Sequence, residues 1–340
     1  MNLVKKIWKN FSYPLLLIVI EAVLFAANYT PKTFLIGWDN VMPEFNLRLN
    51  YLRALSAVWQ DYRGLGTLDG MAHAANLFHV IYINILSFFL PQNLLRYSFI
   101  DLTHLIGGIA FYFLAVKLFK NKHGAFLGAL FYLFNLGVIQ MYFAPLEVFT
   151  MHFAALPVMG LAILNALKKK SKTSLFVLGA ASLLTTPQAF VPTVFISYSL
   201  FVALLVVFSF KKTLINRFIL ILGILFITNA FWLLPFSYTA VFKSKVIQNT
   251  RINEFSSEEI YYRNKAKGTL TDVMTLKGFM IDTIEYDSFK KGNFNFMQKW
   301  LDQTKTVPFT VISTIIAGLM ILGSFLVIRF RLRSLYPFLA

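Results

Sequence analysis

The sequence predicts an all-α polytopic membrane protein with about eight transmembrane helices, an interfacial helix and two long outer loops. Hydrophobic residues make up 57% of the 340 residues, and 37 residues are Phe, so too few polar side chains remain to cover a soluble globule. The apolar residues gather in runs of membrane-spanning length. Lysine and arginine cluster between alternate runs, which is the pattern of a multi-pass protein with one basic side.

The first predicted span follows a basic N-terminus. Lys5, Lys6 and Lys9 precede an apolar run from Phe11 to about Ala27, which is close to the roughly 20 residues that a spanning helix needs. The basic flank predicts that this helix enters from the cytoplasm. The alternative is a cleaved signal peptide, which the small residues at the end of the run would also suit.

The next apolar segment is too short to span. Leu77 to Leu90 is closed by Pro91 and, at ~1.5 Å per residue, covers about 21 Å of a hydrocarbon core about 30 Å thick. It predicts a helix that lies in, or dips into, the outer interface. The further candidate spans are Tyr97 to Val116, Ala125 to Ala144, Val148 to Leu167, Ser174 to Phe190, Val191 to Phe210, Phe218 to Pro235 and Val307 to Ile328.

The basic clusters select this topology. If residues 77–90 stay at the interface, every cluster shares the side of the N-terminal lysines, and that side holds half of the 32 Lys and Arg and none of the 15 Asp and Glu. The net charge of +17 is then a consequence of topology, and nucleic acid is not an expected partner. These clusters are Lys117/Lys120/Lys122, Lys168/Lys169/Lys170/Lys172, Lys211/Lys212/Arg217 and Arg329/Arg331/Arg333.

The spans also divide the chain into regions. Residues 1–236 form a transmembrane module, with a first outer loop at 30–76 and the interfacial helix at 77–90. Residues 237–306 form a large outer loop, which we expect to be folded and partly helical. Residues 307–340 hold the last helix and the start of a next apolar run, so we expect a truncated protein. The absence of cysteine excludes disulfides and thiolate sites.

The strongest candidate for chemistry opens the first outer loop. The stretch Ile36-Gly37-Trp38-Asp39-Asn40 directly follows the first span. A carboxylate at a helix end near the bilayer surface can accept the proton of an acceptor hydroxyl during glycosyl transfer. We therefore interpret Asp39 as a catalytic base with Asn40 beside it in substrate binding. The alternative is that Asp39 caps a short helix containing Pro43 and Glu44.

Glu147 is the second acidic candidate. It lies in a short turn between two predicted spans at the outer face, where a charge beside apolar helices is costly and is often functional. A solvated surface turn is the alternative. If the first spans are neighbours, Asp39 and Glu147 face one cavity.

Several polar residues are weaker candidates for substrate binding. Asp69 and His73 are spaced to share one helical face, where they could orient a phosphate or sugar or form a hydrogen-bonded pair.

Two further pairs are also candidates. Arg53 and Arg63 could each bind a phosphate through two hydrogen bonds. His152 and Gln188 could line a substrate path.

No cofactor is expected from the motifs. The chain has no HExxH or paired acidic cluster for a metal, and no nucleotide-binding or nucleophile-elbow motif. An activated, lipid-borne substrate would need none of these.

Short motifs that cover most of the chain carry a resemblance to a known family. These are Gly37-Trp38-Asp39-Asn40, Arg53-Ala54-Leu55 with Trp59, Tyr62-Arg63-Gly64-Leu65-Gly66, Glu147 followed by Leu156-Pro157, Asn229-Ala230-Phe231-Trp232-Leu233-Leu234-Pro235 and Thr271-Asp272-Val273-Met274-Thr275-Leu276-Lys277-Gly278-Phe279. With these motifs the chain resembles the membrane-embedded glycosyltransferases of the GT-C class, and in particular the α-(1→3)-arabinofuranosyltransferase-like family.

The resemblance implies a GT-C-like fold in the cytoplasmic membrane, with an extracytoplasmic active face. It implies a polyprenyl-phosphate sugar as donor, a glycan acceptor and inversion at the anomeric carbon. Asp39 then matches the base, and Glu147 lies where a second acidic residue is often found. Basic residues at the outer rim, such as Arg53, Arg63 or Lys277, could offset the charge on the departing phosphate.

The rival interpretation is a non-enzymatic transporter or flippase of lipid-linked glycans, or an envelope assembly protein. Such a protein would carry polar residues deep in several helices. The candidates here are Glu21, Asp101, His104 and Asn229.

Overall fold

The computed structural model describes residues 2–36, 42–61, 65–68, 72–168, 171–209, 214–243, 245, 269–330, 332 and 335. The chain divides into two units. The first comprises Met1–Leu133 and Ala144–Ser244, and the second comprises Phe134–Phe143 and Lys245–Ala340. Both are mainly helical.

Six helices in the described part of the chain are long and apolar enough to cross a membrane. The prediction of a helical, multi-pass membrane protein is therefore confirmed. Charged side chains are few in the apolar stretches of these helices, because each would lose its hydration in hydrocarbon. The six are the apolar part of α1 (Asn2–Asn28), α4 (Gln92–Phe119), α7 (Glu147–Lys168), α9 (Pro192–Ser209), α10 (Ile215–Phe242) and α13 (Val307–Arg329).

Two of the eight predicted spans are not continuous helices. The candidate at 125–144 is broken into α5 (Lys122–Phe134) and α6 (Leu136–Phe143), which are bent by 44°. Between them, the Asn135 side chain accepts a hydrogen bond from the backbone N–H of Val138, so it caps α6 and ends α5. If this bent pair is one span, the count becomes seven.

The second departure is at residues 174–190. Here α8 (Lys172–Leu184) has 13 residues and covers about 20 Å. A 3-10 helix, Thr186–Phe190, follows it with Pro187 at its start. Proline has no backbone N–H to continue the α-helical ladder. The Thr186, Gln188 and Ala189 side chains are buried in protein.

The core of the first unit lies between α7 and its neighbours. Met159 and Ile163 of α7 pack with Leu178 of α8, Leu205 of α9 and Ile221 of α10, and all are fully buried. On its other side α7 approaches α4 closely. A Cβ at Gly107 of α4 would collide with the Phe153 ring of α7, so the small residue sets the distance between these helices.

The basic turns meet at one end of this unit. At the start of α10, the Arg217 Nε donates to the Ala166 carbonyl near the end of α7, at 2.9 Å. Its Nη2 also donates to the Ser171 carbonyl and the Ser174 hydroxyl at the start of α8. Arginine and lysine are well suited to bind the carbonyls that a helix end leaves without partners. At the same end, the Lys117 side chain donates to Asn165 and joins α4 to α7. The Tyr13 hydroxyl and the His123 ring are hydrogen-bonded and join α1 to α5.

The other end of the first unit carries the first loop. It contains a 3-10 helix (Pro43–Phe45), α2 (Leu47–Leu55), a two-residue hairpin of β1 (Trp59–Gln60) and β2 (Thr67–Leu68), and a second 3-10 helix (His73–Asn76). The predicted interfacial helix is α3 (Leu77–Ser87). The Tyr82 hydroxyl of α3 donates to the Leu184 carbonyl at 2.8 Å, so α8 runs from the basic end to this one.

A tryptophan of α10 packs against the first loop. Trp232 is buried against four alanines of residues 57–75 and against Ala189. Its Nε1 donates to the Asn229 Oδ1 at 2.9 Å, and the Asn229 amide donates to the Ser182 hydroxyl at 3.0 Å. The polar edge of the indole is thus satisfied within the helices while its rings face the loop.

The second unit contains α6, a folded segment and α13. The segment comprises α11 (Leu270–Thr275), a 3-10 helix (Phe279–Asp282), an antiparallel hairpin of β3 (Ile284–Asp287) and β4 (Gly292–Asn295), and α12 (Gln298–Thr304). Thr269 and Asp272 form a capping box at the start of α11. The two hairpins are features that the all-α prediction omitted.

The cysteine-free chain allows a direct test of the two ends. Single cysteines at Asn121 and Lys172, which are exposed at the basic end, should react with a membrane-impermeant maleimide from the same side of the membrane. A cysteine at the exposed Arg48 of α2 should react only from the opposite side. The measurement is labelling of sealed vesicles before and after permeabilisation. Equal labelling of Arg48→Cys and Lys172→Cys in sealed vesicles would contradict this arrangement.

Candidate functional site

The most unusual feature at the loop end is a buried arginine between two buried glutamates. Arg96 of α4 is 2% exposed, Glu44 of the first loop 4% and Glu147 of α7 6%. Arg96 Nε lies 2.8 Å from Glu44 Oε1, and Arg96 Nη1 lies 2.8 Å from Glu147 Oε1. We call these three residues the arginine cluster. Charges this deeply buried persist only when they are paired.

These two contacts, with Glu44 and with Glu147, differ in geometry. The contact with Glu44 has the alignment of a hydrogen bond. The contact with Glu147 has the distance but not the alignment, so it is mainly an electrostatic attraction. Glu44 Oε2 is buried and has no hydrogen-bond partner within the described part of the chain. With both carboxyls ionised the cluster would carry one net negative charge.

The cluster ties the first loop to the helices. Glu44 belongs to the 3-10 helix that follows the first span, whereas Arg96 is 52 residues further along the chain. A second bond reinforces this link, because the Gln92 side chain donates to the Glu44 backbone carbonyl at 2.7 Å. The end of α1 is attached to the same region through the hydrogen bonds of Asn93 with Tyr29 and of Thr33 with Tyr97.

A neutral histidine borders the cluster. His79 of α3 is 2% exposed, and its Nδ1 donates to the Asn76 Oδ1 at 3.1 Å. Burial, and then the positive charge of Arg96, lowers the pKa of His79 to about 3. His79 is therefore uncharged at neutral pH and adds no second positive charge to the cluster.

A second polar group joins α7, α9 and the buried 3-10 helix. His152 Nδ1 and Gln188 Oε1 are 2.8 Å apart, and an amide oxygen can only accept, so Nδ1 carries the hydrogen. His152 Nε2 lies 3.4 Å from the Ser197 hydroxyl, which donates to the Val194 carbonyl instead. Because Nδ1 carries the hydrogen, Nε2 has a free lone pair and can accept a hydrogen bond, and the bond to Gln188 fixes the orientation of the ring.

The predicted site residues are placed as follows. Glu147 begins α7 and is buried, so its interpretation as a solvated surface turn is wrong. His152 and Gln188 are brought together, and His73 stacks edge-on against Phe190 at 5.2 Å. Arg53 is exposed in the last turn of α2. Lys277 pairs with Asp282 at 3.0 Å within the second unit.

Four predicted residues lie outside the described residues: Asp39, Asn40, Arg63 and Asp69. Among the residues that are described, no group of three or more His, Asp or Glu side chains is placed to hold a metal ion.

Three members of this region were not candidates in the sequence. Arg96 stands just before the predicted start of a span at Tyr97, where a charge looks like an ordinary flank. The helix in fact begins at Gln92, so Arg96 lies inside it. Glu44 appears in the sequence analysis only as part of a capped helix. A charge inside an apolar helix was the one available signal, because it demands a partner.

Comparisons with protein-family models, with curated proteins and with solved structures found no match.

The arginine cluster predicts a specific pattern of stabilities. Arg96→Met leaves two buried carboxylates without their counter-charge and should lower the free energy of unfolding by about 3–5 kcal/mol. The triple variant Glu44→Gln, Arg96→Met, Glu147→Gln removes all three charges and should recover most of that loss. The measurement is equilibrium unfolding in mixed micelles. If the triple variant is no more stable than Arg96→Met, charge pairing is not what the cluster supplies.

Proposed function

We propose that this protein is an integral membrane glycosyltransferase. It would move a sugar from a polyprenyl-phosphate donor to a cell-envelope glycan or a lipid-linked acceptor, with inversion and with Asp39 as base. The observation that carries the proposal is the folded first loop. In the described part of this loop, alanines of residues 57 and 72–75 pack against Trp232 of α10, and Glu44 is paired with Arg96 of α4. Asp39 precedes Glu44 by five residues in the sequence.

The proposed reaction needs little chemistry from the protein. The acceptor hydroxyl oxygen attacks the anomeric carbon as the bond from that carbon to the phosphate oxygen breaks. The polyprenyl phosphate leaves with the bonding electrons, and the hydroxyl proton passes to Asp39. Attack from the face opposite the phosphate inverts the anomeric centre. Positioning two substrates and removing one proton are each large contributions to such a rate.

Other residues take supporting roles in this proposal. Arg53 and Arg63 would offset the charge on the departing phosphate. His152, oriented by Gln188, would accept a hydrogen bond from a sugar hydroxyl, and His73, Asp69 and Asn40 would contact the sugars. Glu147 is buried in contact with Arg96, so we assign it a positioning role through Arg96 rather than proton transfer. No cofactor takes part, because the donor is already activated.

The membrane placement also belongs to the proposal. The basic turns gather at one end of the first unit, and such turns face the cytoplasm in most multi-pass proteins. The first loop would then face the outside of a cytoplasmic membrane, where a lipid-linked donor and an envelope acceptor meet. The exposed apolar faces of α9 and α10 would contact membrane lipid and the polyprenyl chain.

A transporter of lipid-linked glycans is the second candidate. One observation favours it: Glu21 and His104 form a buried ionisable pair at membrane depth, and such pairs are common in transport pathways. The two functions differ in whether a covalent bond forms.

The test uses the full chain in proteoliposomes with undecaprenyl-phosphate-linked hexoses and pentoses, labelled in the sugar, and a cell-envelope glycan fraction as acceptor. Asp39→Asn should reduce transfer by at least about 100-fold, since a general base contributes that much or more. Asp61→Asn, an exposed carboxylate of the same loop, is the matched control and should leave transfer unchanged. Undiminished transfer by Asp39→Asn would remove Asp39 from the mechanism. Translocation of the labelled lipid without transfer would favour the transporter.

A further inference from the structure

The basic residues at the two ends of α4 are one membrane thickness apart. At the basic end, Lys117 of α4 contacts Asn165, and Arg217 of α10 contacts the adjacent Ala166, so the two cations share one level. At ~1.5 Å per residue, Arg96 is about 31 Å from Lys117 along α4. The hydrocarbon core is about 30 Å thick, so the arginine cluster lies at the membrane boundary opposite the basic turns.

The first loop reaches lower than the arginine cluster. Four alanines of residues 57–75 form one buried group with Trp232 of α10. Along α10, Trp232 is only about 22 Å from Arg217, and tilt of the helix would lower this figure. The indole also leans toward the basic end, because it bonds to Asn229 in the preceding turn. Packing on Trp232 therefore places these alanines about 8 Å inside the membrane boundary.

A second pair of helices gives a similar depth. Ser174, at the start of α8, bonds to Arg217, and Leu184, at the end of α8, accepts a hydrogen bond from Tyr82 of α3. About 15 Å of helix separates Ser174 from Leu184, so the Tyr82 hydroxyl lies within the hydrocarbon thickness. Ala57 and Tyr82 are thus both below the membrane surface at the loop end.

The helix α2 joins the arginine cluster to this lower level. Glu44 precedes α2 at the membrane boundary and Ala57 follows it about 8 Å deeper, so α2 descends through the boundary. One side of α2 carries Ala54, which is buried. The opposite side and the flanking residues carry large apolar side chains that are between 39% and 59% exposed. These are Phe45, Leu49, Leu52, Leu55, Val58 and Trp59.

The exposed side of α2 has the chemistry of a lipid contact. Arg48, Leu52 and Leu55 follow one another at intervals of four and three residues, so they line one side of the helix. Arg48 is at the end nearer to the boundary, where its guanidinium can reach lipid phosphate. The leucines are nearer to the deeper end. Such an apolar surface is costly in water and is typical of an interaction surface.

We propose that α2 is a lipid-binding helix in the leaflet at the loop end. Leu52 and Leu55 lie among the acyl chains of phospholipid, and Arg48 binds the phosphate groups above them. The occupant is phospholipid because the face descends from the boundary into hydrocarbon and carries Arg48 at its upper end. This inference rests on the membrane placement of the helices, so it holds whether the protein transfers a sugar or transports a lipid.

Nitroxide labels at single sites test the depth of this face in the full chain. Arg48→Cys, Leu52→Cys and Leu55→Cys are labelled in vesicles of phosphatidylethanolamine and phosphatidylglycerol. Oxygen concentrates among acyl chains, whereas a nickel chelate stays in water. Nickel collisions should decrease from position 48 to position 55, and at Leu55→Cys they should be at least about fivefold rarer than at Lys172→Cys, because polar solutes are excluded from hydrocarbon. Leu200→Cys, on the exposed side of α9, is the matched lipid-facing control.

Two results of this measurement would overturn the proposal. Nickel collisions that are as frequent at Leu52→Cys and Leu55→Cys as at Lys172→Cys would show that the face lies in water. Restricted motion with protection from both oxygen and nickel would show that protein, such as a second copy of the chain, covers the face.

A second measurement uses the wild-type chain. A phospholipid with a diazirine in its acyl chain, photoactivated in the same vesicles, should form adducts on the tryptic peptides 49–53 and 54–63, which follow Arg48 and Arg53. Adducts on α9 are the internal control. Adducts on α9 without adducts on either peptide would contradict the contact of α2 with acyl chains.

Discussion

The arrangement of the first unit depends on one buried guanidinium. Arg96 connects a loop residue, Glu44, with the start of α7 at Glu147, and all three side chains are almost inaccessible to solvent. An ion pair of this kind adds little net stability compared with an apolar core, because each charge loses its hydration. Its effect is to make other arrangements costly, since any other docking of the loop would leave a buried charge alone. The cluster therefore selects one position for the loop.

The loop end and the basic end differ in how the backbone groups that have no helical partner are satisfied. At the basic end, Arg217 binds carbonyls at the ends of neighbouring helices and leaves the turns short. At the loop end, two 3-10 helices, His73–Asn76 and Thr186–Phe190, are buried within protein. Irregular backbone is tolerated at such depth only where protein groups or water satisfy it. The two ends of the first unit therefore differ in how much irregular backbone is buried in protein.

Much of the helical pattern could be predicted from hydropathy, because each span is a local property of its residues. The two failures have local causes that hydropathy does not register: the Asn135 cap that breaks the third predicted span and the Pro187 turn that shortens α8. The site was harder to predict. His152 and Gln188 were recognised separately, but their hydrogen bond joins residues 36 apart. Arg96 was overlooked because its partner is 52 residues away, and nothing in either local sequence indicates the pairing.

Hydrogen exchange tests most directly whether the arginine cluster holds the loop. In Arg96→Met, the amide hydrogens of α2 (Leu47–Leu55) should exchange at least tenfold faster than in wild type, because the loop opens locally once its anchor is lost. The amides of the α7 core near Met159 and Ile163 exchange through global unfolding, so they should remain better protected than those of α2 even though the variant is less stable. Unchanged protection of α2, or α2 amides that exchange no faster than those of the α7 core in Arg96→Met, would show that the loop does not depend on Arg96 for its position.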